Sequence, residues 1–288
     1  MKKSDMNFYC IIENTEGLNR YSLLQQYCNT LGITFILINA EEFNFLENIQ
    51  LTSKDILLRV TPGQQSKIIE KHLINEHCIT FYKDNFLGIY NRSNSYFYNH
   101  KKNLPVIKTI PQIPHNEALI DSYVGFLGGF PIVLKIPGGS LGVGIIKVDS
   151  KDALISTLDY FNSLGNKNIM MRQFIPHKKQ ARLVVLGNEV ISSYDNIISF
   201  DFRSNVGGEY PGRKRETMLY DDHINNITIE AVHSIGIEFG GVDILFDKDN
   251  KPHISEVNFP FYFLAAQQVT GVNIVKKMVD YLVNKSKR

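Results

Sequence analysis

Residues 241–258 read GVDILFDKDNKPHISEVN, in which two apolar segments flank a polar turn that ends in a proline. Short apolar segments on either side of such a turn predict a β-hairpin, with strands at Val242–Phe246 and His253–Val257. Side chains alternate between the two faces of a strand, so every second residue from Val242 onward points into a core. The sequence therefore predicts a hairpin with one apolar face and one face that carries its acids.

Three polar side chains come together on the second face of this hairpin. Pairing that is symmetric about the turn places Asp243 opposite Glu256, and Asn258 follows two residues later on the same face. Carboxylates that are half-buried side by side repel one another unless a cation joins them, and oxygen ligands of this kind suit Mg²⁺ or Mn²⁺. We interpret Asp243, Glu256 and Asn258 as metal ligands; the alternative is a solvated hairpin with ordinary surface acids.

Composition and charge narrow the class of protein. The chain has 288 residues, enough for one large domain or two to three small ones, and a net charge of +2, which favours neither nucleic acid nor a membrane surface as a partner. Cys10, Cys28 and Cys78 lack the spacing of a metal site, so buried, reduced thiols are expected. We expect no signal peptide from the residues at 1–14, and no run of about 20 apolar residues occurs. We expect a soluble cytoplasmic protein.

The N-terminal part alternates strands with helices. Strands are predicted at Asn7–Ile12, Ile33–Ile38 and Ile56–Val60, and helices at Leu18–Leu31 and Ser66–His77. This order is typical of a small parallel α/β unit. Since no glycine-rich phosphate fingerprint follows the first strand, we expect this unit to contribute walls to a site that is built elsewhere.

A glycine-rich loop lies between two predicted strands in the middle of the chain. Strand Pro131–Ile136 contains Lys135 near its end, the loop 137–144 reads PGGSLGVG, and strand Ile145–Val148 follows. Closely spaced glycines allow backbone N–H groups to fold over phosphate oxygens, and Lys135 can place an ammonium group beside them. The loop is neither a Walker A loop nor a Rossmann turn. We favour phosphate binding over a glycine-rich hairpin without a ligand.

The second half of the chain contains further predicted strands and helices around a long loop. The predicted elements are strand Asn168–Phe174, a polar turn at Lys178–Gln180, a hairpin of Ala181–Leu186 with Glu189–Tyr194, helix His223–Phe239 and helix Asn273–Asn284. The loop contains the basic run Arg213–Arg215, for which a solvated surface run is the alternative to a functional role.

The order of these parts resembles the ATP-grasp superfamily, and in particular its RimK-like branch of the ribosomal-protein glutamate ligase type. The likeness covers about residues 92–285 and is carried by Lys135, the loop Gly139–Gly144, strand Met171–Ile175, Arg182, Phe202–Asn205, Gly241–Asp243 and Glu256–Asn258. The resemblance implies a fold of α/β and α+β parts. These are an N-terminal α/β domain at 1–91, a subdomain with the glycine-rich lid at 92–172, and a C-terminal subdomain with the metal site at 173–288.

The resemblance also implies which residues bind ATP. The phosphates would be held by Arg92, Lys135, Gly139, Ser140 and Gly142. Adenine would lie against Gln173, Phe174 and Ile175, and the ribose near Gln180. The family typically carries Glu at the position of Gln173 and an acid near that of Gln180, so two carboxylates are missing here.

The chemistry implied by the resemblance is ligation that depends on ATP and on Mg²⁺ or Mn²⁺. A carboxylate substrate attacks the γ-phosphate, and an amine captures the acyl phosphate, with release of ADP and phosphate. Arg182, Arg203 and Asn205 would act on the reacting groups. The partners would be small-molecule or peptide carboxylates and amines, and a homodimer is common among relatives. The alternatives are an ATP-grasp phosphotransferase and a non-catalytic nucleotide-binding module.

Two departures from the family bear on the substrate. The family usually continues after Asn258 with small residues and Pro-Gly, whereas here residues 259–263 read FPFYF. These rings would line an apolar pocket beside the metal or belong to the core. Residues 194–196 read YDN, where relatives often carry basic side chains. Glutamate therefore does not follow as the substrate.

Overall fold

The structure is a computed structural model that describes residues 5–13, 18–86, 95–113, 116–136, 143–165, 168–197 and 214–287. Its strands, in chain order, are β1 (Asn7–Ile12), β2 (Thr34–Asn39), β3 (Asp55–Arg59), β4 (Thr109–Ile110), β5 (Ile132–Lys135), β6 (Ile145–Val148), β7 (Met170–Gln173), β8 (Lys179–Leu186), β9 (Glu189–Ile197), β10 (Lys214–Thr217), β11 (Phe239–Phe246) and β12 (Pro252–Asn258). Its helices are α1 (Leu18–Thr30), α2 (Gln64–Leu73), α3 (Ser95–Lys101), α4 (Glu117–Leu127), α5 (Lys151–Ser163), α6 (Asp222–Ser234), α7 (Leu264–Thr270) and α8 (Ile274–Lys285).

The N-terminal sheet is parallel, with strand order β2-β1-β3. Its central strand is covered on both faces, since Phe8 and Cys10 on one side and Ile11 on the other are fully buried. Parallel sheets are usually buried in this way because their crossover helices lie against the faces. The predicted small α/β unit is confirmed.

A four-stranded antiparallel sheet follows, in the order β4-β7-β5-β6. On one face, Leu134 of β5 and Met171 of β7 pack with apolar side chains of α4 and α5. Because side chains alternate along a strand, Lys135 and Arg172 lie on the opposite face. That face forms one wall of a cleft.

The largest sheet has five antiparallel strands in the order β10-β9-β8-β11-β12. Asp243 pairs with Glu256, as the symmetry of the hairpin predicts. Beyond that pair the register shifts, so that Ile244 pairs with Ile254 and Ser255 forms a β-bulge. The prediction of the hairpin is confirmed, and the bulge is an addition to it.

One face of the five-stranded sheet belongs to the main core. Val242 and Ile244 pack there with Val232 of α6 and with Leu57 of the N-terminal sheet. The opposite face carries Arg182, because this residue pairs directly with Asp243. Polar side chains of β8, β11 and β12 are thereby collected on the side that faces the cleft.

Several predicted boundaries are wrong. The helix predicted to end at His77 ends at Leu73. The helix predicted to run to Phe239 ends at Ser234, because Gly236 adopts a positive φ of 77° and the chain turns into β11. The polar turn predicted at Lys178–Gln180 is wrong, since Lys179 and Gln180 already belong to β8. Apolar residues continue in the sequence beyond Ser234, so the helical pattern predicts a helix that is too long.

Three elements have no counterpart in the sequence predictions. Strand β4 follows helix α3, strand β10 lies at the end of the segment for which the sequence predicts a loop, and helix α7 follows the aromatic residues at 259–263. The three-part division of the chain at 91/92 and 172/173 stays a prediction.

The structure bears on the expected state of the cysteines and on membrane helices. Cys10, Cys28 and Cys78 are buried and form no disulfide within the described part of the chain. Burial raises the pKa of the Cys28 thiol to about 12, which keeps it protonated at neutral pH. No helix in the described ranges has the length and apolar character that a membrane crossing requires.

Candidate active site

A cleft lies between the four-stranded and the five-stranded sheet, with about 670 Å³ of empty space that includes its open mouth. Six residues predicted from the sequence line it, namely Lys135, Gln173, Phe174, Ile175, Gln180 and Glu256. The remaining lining residues are Ile107, Val133, Ile145, Arg172, His177, Leu245 and Ser255. The structure thus brings residues from both sheets to one cavity.

An ion pair bridges the two walls of this cleft. Lys135 Nζ, at the end of β5, lies 3.2 Å from Glu256 Oε2 of β12, and the two side chains are 24% and 41% exposed. Ion pairs with this degree of exposure contribute about 0–1 kcal/mol to stability, because water and salt screen them. A ligand can therefore separate these two groups without destabilising the fold.

Asp243 lies beside this pair in a closed environment. Its side chain is 1% exposed, and its two oxygens accept from Arg182 Nε at 2.5 Å and Arg182 Nη2 at 2.8 Å. Asn258 Nδ2 donates to Asp243 Oδ2 at 3.3 Å. Burial lowers the pKa of Arg182, but its charge attraction and hydrogen bonds to Asp243 outweigh this effect and raise the pKa overall. Arg182 therefore stays charged.

The donor atoms of this group fit a divalent cation only in part. Within the described ranges, no three His, Cys, Asp or Glu side chains cluster to form a ready-made metal site. Asp243, Glu256 and Asn258 offer two carboxylates and one amide, and each carboxylate already faces a cation. Mg²⁺ prefers six oxygen ligands and commonly takes some of them from substrate phosphates. The residues fit Mg²⁺ that arrives together with a polyphosphate.

The far wall of the cleft carries two polar side chains with unused hydrogen-bonding capacity. Gln180 is 1% exposed, and its Oε1 has no partner among the described residues. His177 Nε2 is likewise buried without a partner there, while His177 Nδ1 lies 2.6 Å from the carbonyl oxygen of Ile175. His177 could not be predicted as a site residue, because a single histidine in a polar segment carries no distinctive pattern.

Arg172 joins the two sheets at the base of the cleft. Its Nη2 donates to the carbonyl oxygen of Ser255, the bulged residue, at 2.9 Å, and its Nε donates to Thr109 Oγ1 at 3.2 Å. Burial lowers the pKa of this guanidinium. Arg172 is not among the residues predicted from the sequence, although a charged residue inside the apolar strand at 168–174 is an available signal.

Six predicted site residues lie outside the described residues. They are Arg92, Gly139, Ser140, Gly142, Arg203 and Asn205. Their assignments remain predictions that follow from the resemblance.

The aromatic residues after Asn258 belong mainly to the core. Phe261 and Phe263 are 6% and 2% exposed, and the ring of Phe259 contacts that of Tyr82. The ring of Tyr262 is 50% exposed. The interpretation as core is therefore correct for Phe261 and Phe263.

Residues 194–196 divide between the two faces of β9. Tyr194 pairs with Arg182, and Asn196 pairs with Gln180, so both side chains lie on the face that carries the site. Asp195 lies on the opposite face and forms an ion pair with Lys179 at 2.8 Å. The site face therefore gains a phenol and an amide from this segment, and no acid.

The fold is that of ATP-grasp ligases, as comparison with solved structures shows. The structure of the ATP-grasp ligase PsnB complexed with minimal precursor, Mg and ADP matches with a TM-score of 0.73, at 12% identity, over 98% of this chain and 99% of that chain. D-alanine–D-alanine ligase from Bacillus anthracis complexed with ATP matches with a TM-score of 0.69, at 14% identity, over 99% of this chain and 98% of that chain. The predicted fold class is confirmed.

The chain belongs to the RimK-like ATP-grasp family, whose domain matches residues 91–282. A probable alpha-L-glutamate ligase of Klebsiella pneumoniae (strain 342) is 29% identical over 173 residues, which are 59% of this chain and 56% of that protein. A ribosomal protein bS6–L-glutamate ligase of Salmonella newport (strain SL254) is 28% identical over 176 residues, 60% of this chain and 57% of that protein. The match thus spans little more than half the length of these relatives. The resemblance to the RimK-like branch is confirmed.

Proposed function

We propose that this protein is an ATP- and Mg²⁺-dependent carboxylate–amine ligase, which forms an amide or peptide bond through an acyl phosphate and releases ADP and phosphate. The observation that carries the proposal is the arrangement of charges at the wall of the cleft. Glu256 of that wall and its strand neighbour Asp243 each face one cation, and the cleft between the two sheets has about 670 Å³ of empty space that includes its open mouth. Family membership supports the same class of reaction.

The charges of this group favour a metal that arrives with the nucleotide. Glu256 and Asp243 are balanced by Lys135 and Arg182, so a bare divalent cation would add two uncompensated positive charges. The triphosphate of ATP supplies the missing negative charge and further oxygen ligands. We assign Asp243, Glu256 and Asn258 as the residues that would hold Mg²⁺. When bound, the ion neutralises the phosphate oxygens and orients the transferred phosphoryl group.

Lys135 would exchange partners when the nucleotide binds. In the structure it faces Glu256, and both side chains line the cleft. Phosphate oxygens carry more charge than one carboxylate and draw the ammonium toward themselves. We propose that Arg92, Gly139, Ser140 and Gly142 contact the same phosphates.

The apolar part of the cleft would hold the base. Val133 and Ile145 on one wall and Leu245 on the other provide apolar surface, and Gln173, Phe174 and Ile175 line the same cleft. Flat apolar walls suit the rings of a purine. The backbone of the segment Gln173–Ile175 would supply both the donors and the acceptors that the edge of the base needs. Gln180 is proposed to contact the ribose.

The reaction itself needs charge stabilisation rather than a protein nucleophile. A substrate carboxylate oxygen attacks the γ-phosphorus, the bond to the β-phosphate oxygen breaks, and the amine then displaces phosphate from the acyl carbon. We assign Arg182, Arg203 and Asn205 to stabilise the negative charge that develops on these oxygens. Arg182 is held by Asp243 in a fixed orientation, which favours this role.

The substrates are proposed only as classes. The relatives are named as glutamate ligases, one of them acting on ribosomal protein bS6. Tyr194 and Asn196 are neutral side chains on the site face of this chain. We therefore propose a small-molecule or peptide carboxylate and an amine, without assigning glutamate.

The proposal is tested by following ADP release with ATP and Mg²⁺ against a panel of amino acids and short peptides, singly and in pairs. ADP that appears with one pair, together with a product lighter than that pair by one water, is the expected result. A stable phosphorylated product without ligation would indicate a phosphotransferase instead. ATP binding with no turnover in any pair, and none with whole-cell metabolite or peptide fractions, would indicate a non-catalytic module.

A further inference from the structure

The strand β10 separates two basic side chains of the run at 213–215. Lys214 and Arg215 are successive residues of this strand, so their side chains lie on opposite faces of the five-stranded sheet. Arg215 pairs with Asn196, and Asn196 pairs with Gln180, which lines the cleft. Residues that pair directly across antiparallel strands share a face. Arg215 is therefore a basic residue of the site face, and Lys214 belongs to the face behind it.

The two basic residues also differ in their partners. Lys214 forms an ion pair with Glu216, two residues further along the same face of β10. Arg215 is exposed and has no acidic partner among the described residues. Its contact is a hydrogen bond in which Nε donates to Asn196 Oδ1 at 3.2 Å. The positive charge of Arg215 is thus left without a counter-ion in the described part of the site face.

Asn196 holds the guanidinium of Arg215 in a defined orientation. Asn196 is 4% exposed, and its amide oxygen is a neutral acceptor, so it orients the guanidinium without cancelling the charge. With Nε engaged, the Nη1 and Nη2 groups at the end of the side chain stay available. Two parallel N–H groups of this kind match the two oxygens of a carboxylate.

Arg215 is too far from the proposed metal ligands to act on the reacting group itself. Its guanidinium contacts Asn196 on β9, whereas Asp243 lies on β11, and β8 stands between these strands. Neighbouring strands are about 4.8 Å apart, so about 10 Å separates the guanidinium from the strand that carries Asp243. A carboxylate held by Arg215 is therefore a second anionic group of the substrate.

This separation limits the kind of substrate that can use both ends of the site. The two carboxyl carbons of a single glutamate are at most about 5 Å apart, which is too short. An extended peptide advances about 3.5 Å per residue, so about three residues bridge the distance.

We propose that Arg215 is a specificity-determining residue, which binds a second carboxylate of a peptide substrate about three residues away from the group that reacts. The inference rests on the proposed function and deepens it, because it selects a peptide over a single amino acid. It also adds Arg215 to the site residues that the resemblance implies.

The test measures the binding of acetylated tetrapeptides by calorimetry, with Mg²⁺ and a non-hydrolysable ATP analogue present. Acetyl-Glu-Ala-Ala-Ala carries a carboxylate at each end, whereas acetyl-Gln-Ala-Ala-Ala and the C-terminal amide of the first peptide carry one each. We expect the peptide with two carboxylates to bind about 10-fold more tightly than either counterpart. Acetyl-glutamate, whose two carboxylates lie close together, should bind no more tightly than the peptides with one.

Variants assign this preference to the guanidinium. Arg215→Met should bind all three tetrapeptides equally. Asn196→Asp should also lose the preference, because it places a carboxylate beside Arg215 and neutralises its charge. Lys214→Met removes a charge from the opposite face of the same strand and should keep the full preference.

Three results would overturn the inference. They are equal binding of the three tetrapeptides by the unmodified protein, an undiminished preference in Arg215→Met, and a loss in Lys214→Met as large as that in Arg215→Met. A protein that binds the ATP analogue but none of the tetrapeptides would overturn this inference and not the proposed function. A protein that does not bind the ATP analogue would overturn both.

Discussion

Two ion pairs in this protein join a basic and an acidic side chain in opposite surroundings. Arg59 Nε lies 2.7 Å from Glu70 Oε2, and the two side chains are 1% and 3% exposed. Lys135 and Glu256 face each other across the cleft at 3.2 Å and are 24% and 41% exposed. The first pair is closed to solvent on all sides, whereas the second can be reached by a ligand. Solvent access, more than the distance between the charged atoms, distinguishes an ion pair that stabilises the fold from one that can bind a ligand.

The two ion pairs also differ in their hydrogen bonding. Glu70 Oε1 also accepts from the Tyr82 hydroxyl at 2.8 Å, and Arg59 Nη1 donates to the Thr61 carbonyl. The buried pair therefore connects β3, α2 and the segment after α2. Lys135 and Glu256 have no such additional contacts among the described residues. Because Arg59 and Glu70 are hydrogen-bonded to neighbouring groups, the buried pair offers no site for a ligand. The exposed pair, Lys135 and Glu256, can exchange its contact for one with a ligand.

The largest expected effect comes from breaking the buried pair. Glu70→Ala leaves the Arg59 charge buried without its counter-ion and should lower the free energy of unfolding by about 3–5 kcal/mol. Urea denaturation measures this change. Replacing both partners with Arg59→Met and Glu70→Leu should recover a large part of the loss, because no unpaired charge then remains. A loss below about 1 kcal/mol in the single variant would remove the difference between the two pairs.

The next effect concerns activity instead of stability. Glu256→Gln removes a proposed metal ligand and should lower ATP turnover about 100-fold, while the free energy of unfolding changes by less than about 1 kcal/mol. The matched control is Glu238→Gln, which alters an ion pair with Lys285 away from the cleft and should keep full turnover. Near-normal turnover in Glu256→Gln would contradict the metal assignment.

A smaller effect is expected for Arg172. This residue holds the carbonyl of the bulged Ser255, the neighbour of Glu256, and so acts through the position of Glu256. Arg172→Met should raise the Mg²⁺ concentration for half-maximal turnover about 10-fold, as loss of a group that supports a metal ligand commonly does. Lys108→Met is the control, since that ammonium contacts Phe126 on the far side of the same sheet. An unchanged Mg²⁺ dependence in Arg172→Met would assign this residue a purely structural role.

The smallest effect is expected at an exposed pair outside the cleft. Lys151 and Asp121 join α5 to α4 at 2.8 Å, with side chains 42% and 57% exposed. Asp121→Asn should leave both the urea midpoint and the turnover unchanged, because solvent already screens this contact. A clear shift of the midpoint would show that exposure alone does not rank the ion pairs of this protein.

The elements that local pattern specifies could be predicted from the sequence. The pairing of Asp243 with Glu256 follows from hydrophobic alternation and the turn between the strands, and the hairpin at Gly187–Asn188 follows from its turn residues. The bulge at Ser255 could not be predicted, because its carbonyl is held by Arg172 from a different sheet. Contacts of that kind depend on the packing of distant segments.

Polar residues inside strands were the main source of error in the candidate site. The lysines beside Gln180 predict a polar turn, yet Gln180 is a buried member of β8. Its strand position depends on pairing with Leu245 of β11, a residue far away in the sequence. The unpartnered acceptor on His177 is likewise a property of the folded cleft, and no local pattern signals it.

The most direct test of the central claim is calorimetric titration of the protein with ATP, with Mg²⁺, and with both. If Mg²⁺ and nucleotide together replace the Lys135–Glu256 ion pair, Mg²⁺ alone should not bind measurably, ATP should bind much more tightly when Mg²⁺ is present, and Glu256→Gln should lose this dependence. Tight binding of Mg²⁺ without nucleotide, or the same Mg²⁺ dependence of ATP binding in Glu256→Gln, would contradict the account.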